Sequence, residues 1–197
     1  VHLSTALTNN GTITINSNAG GDATFLIADN NVALSGSGTI NLVAAGNVSG
    51  RAQLNTAMGA TLTQAAGHNI TGDGLINATL VNNGTVNANV SGGDLLLQTD
   101  NMTNNSLFEA TGGGRLDING ITVTQGASGQ ILANAGTVNL TGSSITGGTL
   151  ATPAGGVIQS SAGANVLTSV TNAGTFNILD NTSVHLSTAL TNNGTIT

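Results

Sequence analysis

The 197-residue chain sets 2 Arg and no Lys against 8 acidic residues, for a formal net charge of −6, and only 5% of it is charged. An acidic, lysine-free surface repels phosphate backbones, and with aromatics at 2% it offers no stacking platform, so nucleic acid is excluded as a partner. The absence of cysteine excludes a disulfide scaffold and thiolate metal sites, while 39% hydrophobic residues leave enough apolar material for a buried core.

What replaces the charges is 29 Gly, 30 Thr and 27 Asn. These residues build turns and strand faces and are poor helix formers. Residues 1–14 read VHLSTALTNNGTIT, and their small-residue turn (NNG) leads into an alternating strand, Thr12-Ile13-Thr14-Ile15. The next apolar run, ATFLIA at 23–28, is far short of the ~20 residues that span a bilayer, so no membrane insertion is expected. No signal peptide is visible, and any export signal is expected to lie outside these residues.

The turn-strand unit then recurs along the chain: LSGSGTINL (34–42), TAMGATLTQ (56–64), LVNNGTVNA (80–88), MTNNSLFEA (102–110), LANAGTVNL (132–140) and VTNAGTFNI (170–178). In the strands at 12–15, 39–42, 85–88, 137–140 and 175–178 apolar residues share one face and Thr or Asn the other. Strand starts at 12, 39, 60, 85, 107, 137, 157, 175 and 195 lie 18 to 30 residues apart. A hairpin-built sandwich places turns every ~8–12 residues, whereas this wider spacing suits a coil contributing two or three short strands per turn. NNGT is also a good hairpin signal, which leaves an antiparallel fold as the alternative. Asn tolerates left-handed backbone and Gly adopts it freely, so Asn-Gly and Ala-Gly are expected to turn the corners.

Residues 184–197 repeat residues 1–14 letter for letter at an offset of 183. Residues 1–183 therefore read as one long tandem repeat forming a continuous β-solenoid, and 184–197 as the start of the next identical repeat. The expected fold is all-β, a right-handed parallel β-helix with about 8–9 coils per 183-residue repeat. Its inner ladder is expected to contain Ile13, Ile15, Ile40, Leu42, Leu62, Val86, Phe108, Leu116, Ile118, Val138, Leu140, Val157, Phe176 and Ile178. Thr and Asn are expected outside, stacked in hydrogen-bonded rows.

The N-x-G-T corners, the aliphatic/Thr/Asn strands, the lack of cysteine, the scarcity of lysine and aromatics, and segments such as GSSITGGTLATPAGGVIQSSAGANVLTSVTNAGTFNILDN (142–181) resemble the repeat regions of large bacterial exoproteins. These are the filamentous-haemagglutinin type secreted by two-partner systems and the related autotransporter passengers. The resemblance covers essentially the whole chain and is compositional and periodic. It implies a right-handed parallel β-helix, secretion to the extracellular space or bacterial cell surface, and service as the rod of an adhesin or filament.

Chemistry is sparse. Glu109 and Asp117 flank Arg115, and by the alternation all three face outward; a solvated charge cluster is expected there rather than the paired carboxylates of a glycosidase. GGDATFLIAD (20–29) and GGDLLLQTD (92–100) resemble a calcium nonapeptide but lack its second Gly-Asp step, so each is read as a corner followed by a strand. His2, His185 and His68 are read as surface or loop residues without metal partners. The pairs Thr12/Thr14, Thr61/Thr63 and Thr122/Thr124 resemble ice-binding arrays, but Asn at 41, 87, 139 and 177 interrupts the pattern. Asn-x-Ser/Thr sequons at Asn10, Asn47, Asn69, Asn83, Asn101 and Asn193 follow from composition. No catalytic, cofactor-binding or metal residue is assigned, and no cofactor or enzyme activity is expected. The expected partners are the chain's own next repeat stacked end to end, lateral neighbours in a fibre, and surface glycans.

Overall fold

The computed structural model describes residues 1–16 and 18–197, and it is a parallel β-solenoid of about nine turns with 3% helix. Each turn crosses three walls, and every wall is an unbroken parallel ladder. The first wall begins at β1 (His2–Leu3), β4 (Thr24–Ala28) and β7 (Ala52–Thr56) and continues to β24 (Thr175–Ile178) and β27 (Thr195–Ile196). The second runs from β2 (Leu7–Thr8) through β10 (Leu80–Asn82) and β13 (Met102–Asn104) to β25 (Ser183–Leu186). The third runs from β3 (Thr12–Ile15) through β14 (Leu107–Thr111) to β26 (Thr191–Asn192). Strand β9 (Asn69–Asn77) serves two walls. Its first half pairs with Thr39–Val43 on the third and its second half with Ala52–Thr56 on the first.

That double strand depends on glycine. Gly72 sits at φ +110°, and a Cβ there would collide with the Leu42 carbonyl oxygen of the coil below, so the bend between walls closes only without a side chain. Because no corner loop intervenes, the coil from Asn69 to its ladder partner Thr85 takes 16 residues (85 − 69). The coil from Thr39 to Asn69 takes 30 (69 − 39). The surplus lies in the third-to-first corner, where two 3-10 turns, Ala45–Asn47 and Ser49–Arg51, are braced by Arg51 Nη1 donating to the Ala45 carbonyl at 2.5 Å.

Alternation works as the pattern predicts. Phe108, Leu116, Ile118, Val138 and Leu140 are completely buried, and one continuous aliphatic core runs the length of the coil. Each such side chain contributes roughly 1.5–3 kcal/mol on burial. Two expected core residues are placed differently. Val157 faces outward at the start of its strand, and Ile158, stacked between Val138 and Phe176, takes the inward position. Ile178 points along the inner ladder but is 41% exposed, since the strand above it, Thr195–Ile196, pairs only with Thr175 and Phe176.

Left-handed glycine turns the corners at Gly67, Gly120, Gly155 and Gly163, as expected of Ala-Gly and Asn-Gly, but the N-x-G-T corners are turned otherwise. Gly11, Gly84, Gly174 and Gly194 in the N-x-G-T segments do not have left-handed φ. The turn is made by the asparagine, whose Oδ1 accepts the glycine N–H two residues on, as in Gly84 to Asn82 at 3.0 Å. Glycine is needed there for clearance, because a Cβ at Gly84 would run into the His68 carbonyl of the coil beneath.

Candidate functional site

The most chemically differentiated exterior lies on the first wall. Ladder register sets Asp94, Arg115 and Thr137 in one column, and Leu96, Asp117, Asn139, Gln159 and Asn177 in the next. Arg115 bridges two acids, reaching Asp94 through Nη2 and Asp117 through Nε at 3.3 Å. Asp117 Oδ1 accepts from Asn139 Nδ2 at 2.6 Å, and Asn139 Oδ1 accepts from Gln159 Nε2 at 2.9 Å. Burial raises the Asp117 carboxyl above the usual range, with the Asn139 hydrogen bond and the Arg115 charge opposing it.

Glu109 does not join this cluster. It lies on the third wall between Asn87 and Leu132, and burial there raises its carboxyl. The structure thus keeps Asp117 beside Arg115, places Glu109 on another wall, and adds Asp94 as the second acid. Both Gly-Gly-Asp segments are corners leading into first-wall strands, Thr24–Ala28 and Asp94–Gln98. The paired threonines divide between walls, Thr12 and Thr14 on the third and Thr122 and Thr124 on the second.

The histidines also divide. His2 is exposed, with Nδ1 2.7 Å from Asp29 Oδ1, and that hydrogen bond holds the Asp29 carboxyl below its ordinary value. His185, its repeat equivalent, is exposed on the second wall. His68 corrects the surface expectation: it is completely buried, and burial lowers its pKa. Beyond Asp29 lies a shallow depression of about 410 Å³ lined by Asp29, Asn30, Asn31, Met58, Gly59 and Ala60.

Sequence reasoning also missed an interior polar column. Asn9, Gln64, His68, Asn82, Asn104 and Gln125 are buried at the corner between the second and third walls. Asn9 Nδ2 meets His68 Nε2 at 3.1 Å, and Gln64 Nε2 donates to the His68 carbonyl at 2.6 Å. The signal was present in the alternation: in Leu80-Val81-Asn82 the asparagine has the phase of the leucine, not of the valine. Among the described residues no group of three or more His, Cys, Asp or Glu is arranged to hold a metal ion, and no helix is long and apolar enough to cross a membrane.

No family model matches the chain, and neither a curated protein nor a solved structure matches it.

Proposed function

We propose that the chain is a structural, non-catalytic repeat of a long extracellular filament or adhesin stalk on a bacterial cell surface, of the kind that builds biofilm matrix. The observation that carries this reading is the duplicated segment, whose second copy joins the same solenoid, pairing with Asn165, Val166 and Leu167, as its first copy pairs with Ile27 and Ala28. Its mechanism is mechanical. Local coil-on-coil contacts let folding propagate along one axis, and continuous backbone ladders with a greasy interior give length and stiffness. Hydroxyl and amide rows keep the walls wettable without many charges.

Native material is expected to appear as thin filaments, each 183-residue unit adding roughly 40 Å at ~4.8 Å per coil. Removing one whole unit should shorten the filaments and leave attachment intact. Globular particles of fixed size under the same imaging would contradict the stalk reading. The row Asp117, Asn139 and Gln159 favours a second reading, in which the first wall itself binds glycan hydroxyls. That reading requires sugar affinity in a single unit, lost in Asn139→Ala. An enzyme would require turnover abolished by Asp117→Asn or Glu109→Gln.

A further inference from the structure

The same fourteen residues occupy different walls at the two ends of the chain. His2 and Leu3 pair with Ile27 and Ala28 on the first wall, but their copies His185 and Leu186 pair with Val166 and Leu167 on the second. Thr8 stands on the second wall opposite Ser35, and its copy Thr191 stands on the third opposite Thr171. Thr12 and Ile13 pair with Thr39 and Ile40 on the third, and their copies Thr195 and Ile196 pair with Thr175 and Phe176 on the first. Every element of the segment has advanced by one wall.

The strand order gives the same result. From β1 to β25 the chain takes twenty-four strand steps, and one more because β9 spans two walls. Twenty-five steps on three walls are eight coils and one wall over. The advance is visible in the corner motif. N-x-G-T turns the chain from second to third wall at 9–12 and 82–85, but from third to first at 134–137, 172–175 and 192–195. The switch lies between Leu107 and Thr137, 30 residues apart: 23 reach the ladder partner Gln130 (130 − 107), and 7 more reach the next wall (137 − 130).

Inward phase survives the move. Leu7 and Leu190, and Ile13 and Ile196, pack against the core in both copies, and Ile196 covers the buried Phe176; Leu3 packs there too, while its copy Leu186 stacks in register on the buried Leu167 but is 54% exposed. Each element of the segment is therefore accommodated on two successive walls. The end of the coil also fits what the repeat supplies next. Thr197 donates its N–H to the Phe176 carbonyl, and Ile178 donates to Thr197, so the residue after Thr197 registers on Ile178. In the repeat that residue is the copy of Ile15, which is buried where it stands.

We infer that the partner of this chain's open end is a second copy of its own unit, continuing the same solenoid but turned by one wall. A surface feature such as the Arg115–Asp94 pair then appears on the three walls in turn and returns to the same wall every third unit. The surface repeat of an array is three units, or about 120 Å at ~4.8 Å per coil, rather than one. This rests on the stalk reading only in requiring that units follow one another.

The wall advance is tested on the cysteine-free chain itself. Thr195→Cys combined with Thr175→Cys should form an oxidative cross-link, and Thr195→Cys combined with Thr171→Cys should not. The reverse result overturns the advance without touching the stalk reading. The array is tested by extending the chain past Thr197 with a further copy of residues 15–197 and imaging it by cryo-electron microscopy. One straight rod with copies turned by a wall supports the inference, and one rod with copies on the same wall overturns it. Two separate rods joined by a hinge would overturn both the inference and the stalk reading.

Discussion

Asn82 Nδ2 donates to Asn104 Oδ1 at 2.8 Å from one coil to the next, with both side chains completely buried. The same Asn82 nitrogen donates to the Leu107 carbonyl, and Asn104 Nδ2 repeats the arrangement with the Gln130 carbonyl at 2.9 Å. Each amide thus ties its own corner to the coil above, in a low-dielectric setting where polar contacts reinforce one another. The column holds coils in register, because an asparagine slipped by one residue would leave the core and strand its partners.

Truncating this column is therefore expected to cost far more than truncating its surface neighbour. Asn104→Ala leaves the Asn82 amide, the Gln130 carbonyl and the Ser106 N–H short of a partner, and should lower stability by about 2–4 kcal/mol. Asn105→Ala removes an exposed hydrogen bond to Asn83 and should stay within about 0.5 kcal/mol. Thermal melts of the two variants check the contrast, and equal losses would remove the column from the account.

Two glycines with similar backbone angles should respond differently to alanine. Both Gly72 (φ +110°) and Gly59 (φ +82°) lie where L-residues are strained, which costs about 1 kcal/mol. Gly59 faces open space, whereas a Cβ at Gly72 meets the Leu42 carbonyl and would push two coils apart. Gly72→Ala should thus lower the melting temperature by several degrees more than Gly59→Ala. Losses of the same size would mean that β9 does not pass directly between walls.

Much of the coil was legible because strand alternation is local: Thr137-Val138-Asn139-Leu140 declares its inward residues without knowing its neighbours. The coil period was legible from the corner motifs. Three things were not. Corner asparagines read as exterior because Asn is polar, yet phase overrides polarity once every polar atom finds a partner, as at Asn82. Glu109 and Asp117 are close in sequence but the corner at residues 112–114 sends them to different walls. The wall that hosts each N-x-G-T copy depends on residues accumulated over many coils, so a short motif cannot carry it.

Residues 157 and 158 test the phase argument. Val157 pairs with Thr137 and so takes the outward place of the first residue after the corner glycine, while Ile158, opposite Val138, enters the core. Ile158→Ala should cost about 2–5 kcal/mol through the cavity left between Val138 and Phe176. Val157→Thr should change stability by no more than about 0.5 kcal/mol. Denaturation of both variants measures the difference, and a larger loss at Val157 would reverse the strand's inside and outside.

His68 makes stability depend on pH. Burial holds its pKa below the ordinary value of 6.5, and Nε2 faces the Asn9 amide while Nδ1 has no hydrogen-bond partner among the described residues. The unfolded chain then binds this proton more readily than the folded one, so the contribution of neutral His68 is complete above the unfolded value. It is lost as pH falls from about 6.5 toward the lower folded value. Glu109 and Asp117 act in the opposite sense, since burial raises both and their ionised forms cost stability that is relieved on acidification. Comparing the chain with His68→Gln cancels the carboxylates and the exposed histidines. Between about pH 7.5 and pH 5.5 the melting temperature of the unsubstituted chain should fall more steeply than that of the variant. Parallel slopes would show that His68 takes up its proton as easily inside the coil as outside it.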